Sequence, residues 1–274
     1  MNSAGVIGWP IAHSKSPAIH RFWLQKLGMD GDYGRFAVAP GHLPQAVASI
    51  HALGLSGFNV TVPHKVEILP LLDEIAPEAR QVGAVNLVVS ENGRLIGRNT
   101  DVDGVLEALP QRHLPMGGIV CLIGSGGAAR AALAAFHRRQ VARVLMVARN
   151  PVKGMALLRE FGLPGEVRPL FDAAPAMLKA DAIVNATSLG MHGGEPMPRE
   201  LLAAMRTPLD SITAFDMVYA PLETAFLAAA REQELHIVDG LTMLIGQAAA
   251  AFQALFGAPP PRQHDHELRA LLTA

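Results

Sequence analysis

The side chains best suited to chemistry stand in short polar clusters. In Gly57-Phe58-Asn59-Val60-Thr61-Val62-Pro63-His64-Lys65, strand alternation sets Phe58, Val60 and Val62 on one face and Asn59 and Thr61 on the other, until Pro63 ends the pairing. Lys65 follows that break, so an amide, a hydroxyl and an ammonium can face one small polyhydroxylated ligand. An edge strand with a solvated polar face would carry the same residues. In His13-Ser14-Lys15-Ser16-Pro17, Ser16 reads as a helix cap with Pro17 at the first helical position. Ile19, Trp23 and Leu27 then recur at helical spacing until Gly28. Ser14 and Ser16 either cap this helix or, with its unpaired amides and dipole, hold a carboxylate or phosphate. In Asn99-Thr100-Asp101, Thr100 or Asp101 can cap the next helix, which fixes Asp101 at a helix start as a cap or as a catalytic carboxylate.

A further cluster is built from backbone. Ile119-Val120-Cys121-Leu122-Ile123 reads as a buried strand, followed by Gly124-Ser125-Gly126-Gly127-Ala128-Ala129-Arg130 and an alanine-rich helix. Strand, glycine turn and helix start in that order make a dinucleotide fingerprint credible: Gly124 allows the tight turn, Gly126 lets backbone approach a pyrophosphate, and Ala129 stands for the third glycine. The following strand, residues 141–147, lacks at its end the acidic residue that would hold a ribose 2′-hydroxyl. Arg149 and Lys153 offer cations for a 2′-phosphate instead, which points to NADP(H) over NAD, unless they are two exposed loop charges.

The elements that position these groups follow from periodicity. Val6-Ile7-Gly8, the helix after Ser16, Phe36-Ala37-Val38, a helix through Leu43, Val47 and Ile50, and the 57–62 strand give β-α-β-α-β and a parallel or mixed sheet. Residues 83–97 look like a hairpin turning at Glu91-Asn92-Gly93. Prolines and glycines across 110–118 mark a linker, so the domain boundary is expected near 110. Residues 181–187 and 212–217 read as further strands of the second sheet, setting Asn185, Thr187 and Asp216 near the carboxyl edge where ligands lie. The apolar run 241–256 reads as a buried helix, too short to span a membrane, whose Gln247 needs hydrogen-bond partners from a ligand or from backbone.

Among 274 residues, 50% are hydrophobic and 17% charged, and the net charge is -1, which gives no electrostatic reason to expect nucleic acid or an anionic membrane as partner. Small molecules are the expected ligands. The N-terminus shows no signal-peptide pattern, and the lone Cys121 fits a reducing cytoplasm. No metal-ligand cluster is evident.

Taken in order, the 8–17 segment, the 57–65 segment, Asn99-Thr100-Asp101, the glycine turn, Asn185-Ala186-Thr187-Ser188, Asp216-Met217-Val218-Tyr219 and Gly240 to Gln247 strongly resemble the shikimate/quinate dehydrogenase family, up to about Gly257. The resemblance implies an α/β protein with an N-terminal substrate and catalytic domain (1–110, with 241–274 returning to it), a Rossmann NADP-binding domain (111–240) and a cleft between them. It implies that Ser14 and Ser16 hold a substrate carboxylate with Tyr219 nearby, and that Asn59, Thr61, Asn86 and Gln247 bind hydroxyls. Lys65 and Asp101 match the family's catalytic pair. Gly124, Ser125, Gly126, Gly127, Ala128, Arg149, Lys153, Thr187, Gly240 and Met243 are assigned to NADP(H). The activity implied is NADP-dependent interconversion of 3-dehydroshikimate and shikimate, by a cytoplasmic monomer or homodimer. A paralogue acting on quinate or an amino-substituted analogue, or a non-catalytic NADP(H) sensor, would share most of these residues. Four positions depart from the family pattern: Leu87 for a usual Thr, Arg21 for a frequent Asn, Thr242 for a Gly and Leu255 for a Trp. Loss of a hydroxyl at 87 removes either a substrate hydrogen bond or a structural one.

Overall fold

The computed structural model describes residues 2–205 and 212–274. The chain divides into two compact units, one of Met1–Thr100 with Gln247–Ala274 and one of Asp101–Gly246. The first runs β1 (Asn2–Gly8), α1 (Ser16–Leu27), β2 (Gly31–Ala37), α2 (Leu43–Ala48), β3 (Leu55–Val60), β4 (Glu74–Ile75), α3 (Pro77–Val82), β5 (Leu87–Glu91) and β6 (Arg94–Arg98). Its six strands form one sheet in the order β2-β1-β3-β5-β6-β4. The sheet is mixed: β1 pairs parallel with β2 and β3, whereas β3–β5 and β5–β6 are antiparallel. The β5–β6 hairpin turns on Asn92 and Gly93, both at positive φ, as a two-residue turn requires.

The segment 57–65 departs from simple alternation. β3 ends at Val60 and is interior to the sheet, so Phe58, Asn59 and Val60 are all at most 6% exposed, while Val62, expected on the same face as Phe58 and Val60, is 68% exposed. Covering both faces of a central strand overrides the period-two pattern. Phe58 joins Ile7, Leu43, Ile68, Val85 and Val88 in the core; a ring of that kind contributes about 1.5–3 kcal/mol through burial. Gly57, at φ 155°, lies beneath Leu255, where a Cβ would come within 2.7 Å of the leucine and clash with the Val88 carbonyl. Beyond the strand, His64 is fully buried and bridges the Val38 carbonyl (2.7 Å) and Glu67 (3.2 Å). That anchor is not legible from the spacing of the motif.

The second unit contains α4 (Asp101–Ala108), β7 (Ile119–Ile123), α5 (Gly127–Arg139), β8 (Arg143–Val147), α6 (Pro151–Glu160), β9 (Gly165–Arg168), α7 (Ala174–Met177), β10 (Ala182–Asn185), α8 (Arg199–Met205), β11 (Thr213–Asp216), α9 (Ala225–Glu232) and β12 (His236–Val238). Its sheet, β12-β11-β10-β7-β8-β9, is parallel throughout, the doubly wound arrangement of a Rossmann-like domain. The unit boundary falls after Thr100, not at 110. Helix α4 belongs to the second unit because it packs on α5, with Arg139 donating to the Leu106 carbonyl at 3.3 Å and Arg138 3.9 Å from Asp103. The return crossing lies inside α10 (Gly240–Phe256), after Gly246, and α11 (Asp265–Thr273) closes the chain. Among the described residues no helix is long and apolar enough to cross a membrane, and no group of His, Cys, Asp and Glu is arranged to hold a metal ion.

Candidate active site

In the first unit, α1 opens at Ser16 with Lys15 at the cap position and no side-chain cap, so Ser16 is the first helical residue and not the cap. Lys15 already has helical dihedrals, which shifts the start by one residue. The Ser16 amide instead points at Ser14 Oγ (3.4 Å), and the two serine hydroxyls lie 3.3 Å apart. Two cations brace this loop. Arg35 donates to the Ser14 carbonyl through Nε (3.0 Å) and Nη2 (2.6 Å), and Lys15 donates to the Leu272 carbonyl in the last turn of α11.

Asn59 sits on β3 with its Oδ1 accepting from the Tyr33 hydroxyl (2.7 Å) and its Nδ2 donating to the Asn86 carbonyl (3.0 Å). Asn86 in turn accepts from the Thr100 amide (2.7 Å) and donates to Thr100 Oγ1 (3.0 Å) and Gln247 Oε1 (3.5 Å). Gln247, expected to need a ligand or backbone, therefore meets side chains, Asn86 and Thr100. Thr100 precedes α4, yet its hydroxyl is turned to this network. Thr61 lies just past β3, its amide held by the Ile7 carbonyl (3.0 Å) and its own carbonyl accepting from His64. The half-buried Lys65 has its carbonyl fixed by the Val85 amide (2.8 Å). Ser14 with Ser16, and separately Asn59 with Asn86, Thr100 and Gln247, thus make up the polar assembly of this unit. Tyr33 and Arg35, which complete it, are missed by motif reading because they lie on a strand without polar alternation.

In the second unit, Gly124 turns at φ 111°, and a Cβ there would lie 2.7 Å from Thr187 Cγ2 and 3.0 Å from the Ala186 carbonyl. Thr187 is thereby seated on the glycine turn, its hydroxyl donating to Asn185 Oδ1 (2.6 Å). A Cβ built on Gly126 or Gly127 meets nothing within 4 Å, and Gly126 to Ala128 are exposed at the start of α5. Open space before a helix N-terminus suits a pyrophosphate. Arg149 and Lys153 follow β8, both exposed; Asn150 caps α6 by accepting from the Lys153 amide (3.0 Å). Arg149 is paired with Glu195. Ser125 and Met243 are half-buried, and Gly240 lies against the Met217 and Val218 carbonyls.

Asp101 is the first residue of α4, and Tyr219 is half-buried, with burial raising its phenol pKa. Asp216 is fully buried and accepts from Asn185 (2.9 Å), the Val218 amide (3.0 Å) and Thr224 (2.6 Å). Burial outweighs these donors and pushes its carboxyl up to about 6. It organises the strand ends instead of facing a ligand. Cys121, in the middle of β7, is buried and its thiol is pushed up to about 12.

The four unusual positions serve the fold in these surroundings. Leu87 is fully buried on β5, Leu255 packs at Gly57, Arg21 pairs with Asp32 (2.7 Å) on the surface, and Thr242 bonds Asp239 (3.2 Å from its amide) at the start of α10.

Comparison with known proteins agrees with this geometry. Residues 6–88 match the family model of the shikimate dehydrogenase substrate binding domain, and residues 240–267 that of the shikimate 5'-dehydrogenase C-terminal domain. The chain is 47% identical to shikimate dehydrogenase (NADP(+)) of Sphingopyxis alaskensis, over 99% of this chain and 97% of that one. It is similar to the solved shikimate 5-dehydrogenase of Thermus thermophilus in complex with NADP(H) and shikimate (36% identity, TM-score 0.86, 99% of each chain). It is also similar to a ligand-free 5-ketofructose reductase of a Gluconobacter strain (28% identity, TM-score 0.86, 99% and 98% of the two chains). The chain belongs to the shikimate dehydrogenase family.

Proposed function

We propose that the protein is an NADP-dependent oxidoreductase that interconverts 3-dehydroshikimate and shikimate. The observation that carries the reading is the polar assembly of the first unit, a paired-hydroxyl loop at a helix start together with buried amides on β3 and just before β5. Such an assembly offers one end to a carboxylate and the other to ring hydroxyls. Ser14 and Ser16 take the carboxylate, with Tyr219 beside it; Asn59, Thr61, Asn86 and Gln247 take hydroxyls.

When bound, the nicotinamide supplies or accepts the hydride. The backbone of Gly124, Ser125, Gly126, Gly127 and Ala128 holds the pyrophosphate, Arg149 and Lys153 hold the 2′-phosphate, and Thr187, Gly240 and Met243 complete the cofactor side. The Lys65 ammonium, with Asp101 as its carboxylate partner, either donates the proton that turns the reduced ketone oxygen into a hydroxyl or stabilises the charge on that oxygen while water supplies the proton. A ketose such as 5-ketofructose has no carboxylate and would leave Ser14 and Ser16 without an anion, which favours the shikimate reading over that of the ketofructose relative. The net charge of -1 and the single buried cysteine support a cytoplasmic protein acting on small molecules, as monomer or homodimer, without nucleic acid or membrane.

The test is nicotinamide absorbance with purified protein, shikimate or quinate, and NADP or NAD. NADP reduction with shikimate is the expected result. Faster reduction with quinate would move the substrate to a paralogue's, and tight NADP(H) binding without turnover on either would make the protein a sensor.

A further inference from the structure

Arg35 lies outside every motif quoted above, yet its head group ends at the serine loop. It stands on β2, the edge strand of the first sheet, where Val6 of β1 is its paired neighbour. An exposed arginine on an edge strand ordinarily keeps other strands from pairing there. Here the guanidinium is turned to a single atom: Nε (3.0 Å) and Nη2 (2.6 Å) both donate to the Ser14 carbonyl and fill its two lone pairs. Among the described residues no carboxylate pairs with Arg35, since Asp32 on the same strand is matched to Arg21 (2.7 Å) and Glu267 on α11 to Lys26 (2.6 Å). Lys15, inside the loop, likewise donates to a carbonyl, that of Leu272. Two cations thus flank the serine hydroxyls, and both are bonded to neutral oxygens.

The consequence is electrical. Ser14 is 8% exposed, so a carboxylate held by its hydroxyl and that of Ser16 exchanges much of its hydration for two neutral donors. Hydroxyls solvate an anion without balancing its charge. Arg35 keeps its positive charge at any working pH, and its two N–H bonds into the Ser14 carbonyl polarise the peptide that joins Ser14 to Lys15. The N-terminus of α1 adds to the same potential. We infer that Arg35 is a positioning residue that fixes the serine loop and supplies the positive potential by which this loop selects a carboxylate over a neutral group. This inference rests on the dehydrogenase reading above, which puts the substrate carboxylate at Ser14 and Ser16.

Calorimetric Kd and steady-state KM for shikimate and for its uncharged methyl ester, measured with Arg35→Gln and Arg35→Lys, test it. Arg35→Gln is expected to raise both constants about tenfold for the acid, the order expected for removing one partly screened charge near an anion, and to leave those of the ester, and kcat with the acid, within about twofold. Arg35→Lys keeps the charge without the paired N–H groups, so the acid should lose no more than about threefold. An arginine that only braced the loop would cost acid and ester alike, and the Gln and Lys variants alike; either result in an active parent overturns the inference alone. Where the ester gives no measurable constant, the two variants decide on the acid, and equal losses overturn the inference. Should Arg35→Gln not fold, a loss above about threefold in Arg35→Lys overturns it. A parent that neither binds nor turns over shikimate overturns the dehydrogenase reading and this inference with it.

Discussion

The two units offer opposite means of recognition to the ligands proposed for them. The first presents side chains: serine hydroxyls bonded to each other, and the amides of Asn59 and Asn86 and the Tyr33 phenol locked together by hydrogen bonds. The second presents backbone, an open glycine turn at the head of α5, and adds exposed cations at Arg149 and Lys153. The difference follows from the ligands proposed for them. A ring with several stereocentres needs directional partners held at fixed positions, and buried side-chain networks give that at the risk of unpaired groups if one member is lost. A pyrophosphate presents many equivalent oxygens, which helix amides satisfy without side-chain identity.

The largest expected effect breaks the chemistry on the side-chain side alone. Lys65→Ala should lower kcat by about 10²–10⁴, the range for a positioned proton-transfer or charge-stabilising group, while fluorescence titration shows NADPH binding unchanged within about twofold. Survival of turnover would remove Lys65 from the reaction. The backbone side is broken at Gly124, whose φ of 111° and 2.7 Å approach to Thr187 leave no room for a methyl group. Gly124→Ala should weaken NADPH binding about a hundredfold, equivalent to about 3 kcal/mol of strain, and leave shikimate binding measured by calorimetry intact.

A sharper contrast lies in pH dependence. Asp216 in the second unit has its carboxyl raised from 3.8 to about 6 by burial, so the folded state binds its proton more tightly than the unfolded state does. Stability from this group is therefore present below about pH 4 and lost as pH rises to about 6, with a slope of at most about 1.4 kcal/mol per pH unit. His20 in the first unit is lowered from 6.5 to about 3, so its contribution is present above pH 6.5 and lost as pH falls. The two slopes oppose each other between pH 4 and 6. Asp216→Asn, whose amide can still bond Asn185, Val218 and Thr224, should make chemical-denaturant stability rise with pH across that window; His20→Phe should make it fall. Identical profiles for both variants would refute the assignment.

The smallest effects concern the cofactor cations. Arg149→Ala should raise the NADP KM about tenfold and leave the NAD KM unchanged, as for loss of a charge-assisted hydrogen bond. Glu195→Gln should lower the NADP KM about twofold, because Glu195 holds Arg149 in an exposed pair that a 2′-phosphate must displace.

The fold class, the glycine turn and the hairpin at Asn92-Gly93 are legible in the sequence because each rests on local spacing or turn chemistry. The residues of the polar assembly are legible by type, but what joins them is not. Tyr33 lies on a strand whose other residues give no signal, and its partner Asn59 is 26 positions away, so only the register β2-β1-β3 brings them together. The extent of β3 escapes period-two reasoning because a strand covered on both faces loses its alternation, and Ser16 is not the cap its type suggests because Lys15 already takes helical dihedrals. The division at Thr100 is hidden because the proline- and glycine-rich run after α4 is more conspicuous than the contacts that bind α4 to α5.

The clasp between Lys15 and the carbonyl of Leu272 spans 257 positions, and Lys26 reaches Glu267 across 241. A ribosome that has released the first unit's strands has not yet made α11, and synthesis at roughly 5–20 residues per second puts the delay at tens of seconds or less. Until then the serine loop has only the Arg35 brace. The loop is thus made well before the helix that helps to hold it.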